Sequence, residues 1–304
     1  MNDPSAGNQY PAMFYTKTGT VSTDDEQNKN SVNCLLCPVG CEISGGDYGL
    51  CGARRNIAGK LYAATYGMVS SIALDPIEKK PFRMFYSGKR ILSLGSFGCN
   101  LGCPFCQNHE IAVGFNRCEN PRYKEEFISP EKIVELAKET VPEGNIGIAY
   151  TYNEPLIGYE FVLDCARRVC DAGLFNILVT NGYINPEPLE KLLPFIHAMN
   201  IDLKGGDGFY AKLGGSLGPV KETIAAAHKH CHVEITTLII PDENDSSEMI
   251  ESAARFIASV DPEIPLHLTR FFPRYKYSQK PAASPELTAA AGKIAKKYLK
   301  NVFI

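Results

Sequence analysis

The sequence predicts an α/β protein whose main body is a partial (β/α)6 TIM-like barrel, preceded by a small cysteine-rich module. Three observations lead there. From about residue 90 onward, short apolar runs alternate with longer runs of helical period. Most of those short runs lack polar alternation, the mark of strands buried on both faces by helices. Six strand–helix units are counted, too few for a closed eight-stranded barrel, and polar residues collect where the strands end, on the face that carries the active site in parallel α/β barrels.

Residues 1 to about 33 are polar, rich in Asn, Asp, Ser, Thr and Lys, and read as a flexible or loosely attached arm. Residues 34–89 form the cysteine-rich module and its connection, and residues 90–304 the barrel. The strands are expected at 91–95, 146–151, 176–180, 198–203, 232–240 and 265–271. Helical patterns fill 128–140, 158–173, 185–196, 218–230 and 246–260. Ser129-Pro130, Asn185-Pro186 and Ser246-Ser247 place a capping residue or proline at helix starts.

Bulk properties narrow the class. The chain has 304 residues, 44% hydrophobic and 21% charged, enough for one substantial core with a small appended unit. A net charge of -3 gives no electrostatic reason to expect nucleic acid. No apolar run reaches the roughly 18 residues of a membrane span, and the N-terminus lacks a basic-then-apolar leader, so a cytoplasmic protein is expected. Eleven cysteines, mostly clustered, suit metal ligation in a reducing compartment better than disulfides. Cys118, Cys165, Cys170 and Cys231 stand apart and are given no role.

Cys99, Cys103 and Cys106 are spaced C-x3-C-x2-C on a loop entered from the first barrel strand. Three thiolates at this spacing can hold three irons of a cubane and leave the fourth open for chemistry. The alternative is a zinc knuckle, with His109 as the fourth ligand. The later strands end in polar groups: Asn153 and Glu154 after the second, Thr180 and Asn181 after the third, Asp202 and Lys204 after the fourth, with Glu234 on the fifth. Four of these have a plainer explanation. Glu154 can cap the following helix, Asn181-Gly182 can be a turn, and Asp202 and Lys204, on one face of a strand, can pair with each other. Cys34, Cys37, Cys41 and Cys51 make a C-x2-C-x3-C-x9-C set. Four thiolates close a coordination sphere, as in structural zinc or an auxiliary iron–sulfur cluster, with a lid of free thiols as the alternative.

The three-cysteine loop, with aromatic Phe105 before its third cysteine, resembles the hallmark of radical S-adenosylmethionine (SAM) enzymes. The segments GSFGCNLGCPFCQNHEIA, YTYNEP, VTNGY, IDLKG, LIIPDEND and HLTRFFP follow the order found in enzymes related to pyruvate formate-lyase activase. The N-terminal CLLCPVGCEISGGDYGLCGARRN and LDPIEKKP resemble the AmmeMemoRadiSam-system branch, encoded beside Memo-type and AMMECR-type proteins. Together they cover roughly residues 34 to 275.

The resemblance implies a [4Fe-4S] cluster on Cys99, Cys103 and Cys106, reductive cleavage of SAM, and a 5′-deoxyadenosyl radical that abstracts hydrogen from a protein glycine or a small molecule. It implies that Glu154 takes the SAM ammonium, although the family's two glycines before Glu-Pro are Tyr152 and Asn153 here. Lys204 is then a candidate for the carboxylate, Thr180, Asn181 or Glu234 for the ribose, and backbone near Phe105 for adenine. A flavodoxin or ferredoxin is the expected electron donor. Two other functions stay open: a modification enzyme with an auxiliary N-terminal cluster, and a zinc-bearing interaction protein on a degenerate barrel.

Overall fold

A computed structural model of the chain describes residues 9–18, 30–113 and 127–304. Six short strands come first: β1 (Tyr10–Pro11), β2 (Tyr15–Lys17), β3 (Val32–Cys34), β4 (Glu42–Ile43), β5 (Arg54–Ile57) and β6 (Lys60–Ala63). They form two three-stranded antiparallel sheets, β1-β6-β5 and β2-β3-β4. The main sheet comprises β7 (Ser71–Pro76), β8 (Arg90–Gly95), β9 (Asn145–Thr151), β10 (Phe175–Thr180), β11 (Ala198–Asp202), β12 (His232–Ile239), β13 (Leu266–Arg270) and β14 (Val302–Phe303). Strands β8 to β14 pair in sequence order, all parallel, and β7 adds antiparallel to the outer edge of β8.

All six expected barrel strands are present, with short flanking strands β7 and β14 added at the sheet's edges. Helices α1 (His109–Ala112), α2 (Pro130–Glu139), α3 (Tyr159–Asp171), α4 (Pro186–Leu192), α5 (Asp207–Lys212), α6 (Leu217–His228), α7 (Ser247–Val260) and α8 (Pro285–Ala295) lie between or after the strands. The Ser129 and Ser246 side chains accept from Lys132 N and Met249 N at 3.3 and 3.2 Å, as N-caps that contribute about 1 kcal/mol each. Asn185 does not cap α4 with its side chain. Its Nδ2 donates 2.8 Å to Leu35 O and its backbone N donates 3.1 Å to Leu36 O, tying the N-terminal module to the barrel.

The expectation of a loose arm over residues 1–33 is corrected where the chain is described. Tyr10 stacks on Tyr66 at 3.6 Å, and both hydroxyls donate to Asp164 Oδ2 of α3, at 2.7 and 2.8 Å. Val32 is fully buried. The arm had no apolar period to signal this, because its strands are two or three residues long and gain their stability from partners distant in sequence. Residues 1–8 and 19–29 lie outside the described residues, as does Cys118. The boundary at residue 90 also moves, since β7 is already part of the main sheet.

Two cores result. The larger lies between the main sheet and its helices and runs on into the N-terminal module through Val32, Leu36, Ile43 and Leu61. The smaller fills the inside of the barrel with Ile77, Phe82, Ile91, Ala149, Ile177 and Ala198. The connection between β7 and β8 supplies the first two and thereby plugs the barrel floor.

Candidate active site

At the C-terminal ends of the strands, Cys99, Cys103, Cys106, Asn153, Glu154, Thr180, Asn181, Asp202 and Lys204 line a single cavity of about 460 Å³. This lies within the usual range of small-molecule sites. The loop after β8 is pinned to the loop after β9. Asn153 Oδ1 accepts from Ser96 N at 3.0 Å, its Nδ2 donates 3.2 Å to Gly98 O, and Glu154 N donates 3.3 Å to that oxygen. Gly98 sits at φ +86°, and a Cβ there would meet Cys51 O at 2.2 Å, so only glycine fits. Tyr152 occupies φ 72°, a strained position for a bulky side chain. Asn108 Nδ2 holds its carbonyl at 2.7 Å, while its hydroxyl donates 2.9 Å to Asp75.

Glu154 is buried, and three donors converge on its carboxylate: Thr180 Oγ1 at 2.6 Å, Asn181 N at 2.8 Å and Leu156 N at 3.0 Å. The last of these is the helix-capping role expected as the plainer explanation. Burial nevertheless pushes its pKa up to about 7, against the lowering effect of those hydrogen bonds. Thr180 and Asn181 therefore orient Glu154. Asn181 also reaches Cys99 Sγ at 3.7 Å and Asn100 Oδ1 at 2.9 Å through its Nδ2.

Asp202 and Lys204 form an ion pair of 2.7 Å on the cavity wall. Burial works against the ammonium, but Asp202 and the nearby cysteine and tyrosine outweigh it and raise its pKa well above the ordinary value. Phe105 is buried and stacks against Phe209, with ring centres 5.8 Å apart and nearly parallel. Burial raises the pKa of each of the three thiols, so they remain protonated until a metal displaces the proton.

Glu234 is a correction. It lies two residues after the start of β12, in the lower layer of the barrel, and takes no part in lining the cavity. Its carboxylate accepts from Arg83 N at 3.1 and 3.0 Å and from Met84 N at 2.8 Å, and pairs with His232 Nε2 at 3.0 Å and His267 Nε2 at 2.5 Å. Strand alternation puts Glu234 on the inward face of Thr236 and Leu238, but height along the strand decides that it holds the floor. Burial opposes its ionisation, yet the two histidines and two backbone N–H groups hold its pKa down to about 2. The depressed value means stability present above about pH 4.5 and lost as pH falls toward 2. Glu234→Gln is expected to cost about 3 kcal/mol at pH 7, measured by urea denaturation. The gap to wild type should narrow by about 1.4 kcal/mol per unit below pH ~4.5.

Several cavity residues were given no individual role in the sequence reading, although Tyr152 and Thr236 fall among its polar strand-end residues. Lys80 is buried, pairs with Asp75 Oδ2 at 3.0 Å, and lies 4.2 Å from the Tyr152 ring centre. Lys79, Lys80, Tyr152, Gln107, Asn108 and Thr236 all face the cavity. For Lys80 the signal was the LDPIEKKP segment, whose second lysine is buried while Lys79 stays exposed, which no local pattern shows until the connection is seen to enter the barrel. His109 stacks on Tyr275 at 4.4 Å and does not line the cavity.

The N-terminal cysteines come together as well. Cys34, Cys37, Cys41 and Cys51 line a second, small cavity with Arg54, Asn100 and Ile157. Among the described residues, no three His, Cys, Asp or Glu side chains are arranged around a single metal ion. No described helix is long and apolar enough to cross a membrane.

The larger cavity's donor set suits an iron–sulfur cluster with SAM. Among the described residues it is lined by three thiols and by no histidine or fourth cysteine, together with a buried carboxylate for a cation and an ammonium for an anion. Comparison with known proteins agrees. The model of the radical SAM superfamily matches residues 94–257. An uncharacterized protein of Methanocaldococcus jannaschii is 43% identical over 96% of this chain and 84% of its own length. Another from that organism, named "putative glycyl-radical enzyme activating enzyme", is 25% identical over 68% of this chain and 85% of its own. A radical SAM methyltransferase from Sphaerobacter thermophilus shares the fold, with a TM-score of 0.55 at 15% identity, covering 95% of this chain and 76% of that one. Strand order, cysteine loop and family match thus converge, and this chain belongs to the radical SAM superfamily, as an enzyme of SAM-dependent radical chemistry.

Proposed function

We propose that the protein is an activating-enzyme-type radical SAM enzyme of the AmmeMemoRadiSam-system branch, acting on a segment of a partner protein. The observation that carries the reading is that Cys99, Cys103, Cys106, Glu154 and Lys204 face one cavity at the strand ends. Resemblance to the M. jannaschii relative named for glycyl-radical activation supports the activating type. The two N-terminal segments support the branch, and with it Memo-type or AMMECR-type partners, a flavodoxin or ferredoxin donor and a cytoplasmic setting.

Cys99, Cys103 and Cys106 would hold the cluster and leave one iron for SAM. When bound, the reduced cluster supplies the electron that opens the S–C5′ bond of the sulfonium. The chain's own residues bind, orient and exclude water. Glu154, held by Thr180 and Asn181, accepts the SAM ammonium. Lys204, steadied by Asp202, offers its charge to the carboxylate. Asn153 fixes the two loops against each other, and Phe105 packs beside the backbone that would meet adenine.

The test is anaerobic. Reconstituted, dithionite-reduced protein is expected to convert SAM to 5′-deoxyadenosine, and Cys103→Ala to lose at least ~100-fold of that rate, since two thiolates cannot retain the site-differentiated cluster. Zinc in place of iron at the loop, with no cleavage, would overturn the reading.

A further inference from the structure

We propose that the N-terminal four-cysteine cavity is a second iron–sulfur site, charge-compensated by Arg54, that passes electrons to the Cys99 loop through Asn100. Four cysteines from three separate stretches line one small cavity, though β3, the turn after it and the loop before β5 are distinct elements.

Arg54 supplies an independent indication. It is 1% exposed and lines this cavity. Its Nη1 donates 2.7 Å to Glu160 Oε1, but among the described residues its Nε and Nη2 have no hydrogen-bond partner. Buried guanidinium donors left unmade are costly, and a thiolate-ligated anionic group among these cysteines would satisfy them. Hydrogen bonds to cluster sulfurs are also a recognised lever on potential.

Four thiols supply the ligands of either a zinc ion or an iron–sulfur cluster, and the contact with the Cys99 loop favours the redox-active group.

Position assigns the role. Asn100 directly follows Cys99 and lines the second cavity with Cys37, and its Oδ1 accepts from Asn181. Gly98, just before Cys99, lies so close to the Cys51 carbonyl that no Cβ fits between them. The two cysteine loops are therefore in direct contact. The electron balance is simple: a low-potential one-electron carrier of the flavodoxin or ferredoxin class is oxidised, the second cluster is reduced, and it in turn reduces the first. The relay half of this inference rests on the radical-enzyme reading; occupancy of the second site does not.

Occupancy is tested in the Cys99→Ala/Cys103→Ala/Cys106→Ala triple variant, reconstituted anaerobically with iron and sulfide. About four irons per chain and a dithionite-dependent paramagnetic signal are expected. Zinc retention, or a colourless variant that folds as wild type by circular dichroism, would overturn it. This result is independent of whether the wild type cleaves SAM. For the relay, Cys37→Ser is expected to slow flavodoxin-driven cleavage at least tenfold while SAM binding is unchanged. An unchanged rate would overturn the relay. Arg54→Lys should keep the irons and shift the second site's midpoint potential, whereas an unmoved potential would remove Arg54 from the site.

Discussion

Glu154→Gln is expected to weaken SAM binding about 30-fold while leaving iron content at the wild-type level. The carboxylate is the buried acceptor at the cavity wall, and three donors fix its position. A lost charge-assisted hydrogen bond of about 2 kcal/mol gives the 30-fold figure. The effect should depend on pH. Burial, the largest influence, raises the Glu154 pKa from 4.5 to about 7. A folded value above the unfolded one means that the contribution to stability is full below about pH 4.5 and is lost as pH rises through about 7. In the ligand-free protein that loss is about 3 kcal/mol. An ammonium bound beside Glu154 favours the ionised form, so SAM binding below pH 7 releases a proton. Affinity should climb by up to about tenfold per pH unit below 7 and level off above it. Isothermal titration across pH 6–8 checks this. A pH slope that persists in Glu154→Gln would assign the proton elsewhere.

Glu160→Ala is expected to destabilise the protein by about 3–5 kcal/mol, the usual cost of leaving a buried charge without its partner. Glu160 is 2% exposed, and its Oε1 accepts from both Arg54 Nη1 at 2.7 Å and Met13 N at 2.6 Å. One carboxylate on α3 thus joins the N-terminal chain, the cysteine module and the barrel. Its loss should lower the urea midpoint and increase proteolytic cleavage near Met13. A change under about 1 kcal/mol would mean that the Arg54 charge finds compensation without Glu160.

The barrel was legible because its signals are local. Each of the six strands is a short apolar run set off by a helix, and Ser129 and Ser246 mark helix starts through hydrogen bonds three residues away. Helix α8 carried the same sign at Ser284-Pro285, whose serine accepts from Leu287 N at 3.1 Å, and could have been read the same way. The N-terminal strands could not, since β1 and β2 owe their order to partners some 15 to 50 residues away.

The cavity divides along the same line. Three closely spaced cysteines and a Glu-Pro after the next strand marked the candidate site locally, and resemblance to radical SAM enzymes gave those residues their chemistry. Glu234 and Lys80 show what spacing cannot decide. Glu234 has the inward register of a cavity residue but sits at the floor, two residues from its strand's start, while Lys80 reaches the cavity because the β7–β8 connection turns into the barrel. By itself the sequence determined the six barrel strands, the helix starts at Ser129 and Ser246 and the clustering of three cysteines on one loop, since these depend on neighbours in the chain. Only the tertiary structure decided the height of each polar group inside the barrel and the contact between the two cysteine loops. Both depend on how distant segments pack, and no local pattern encodes that.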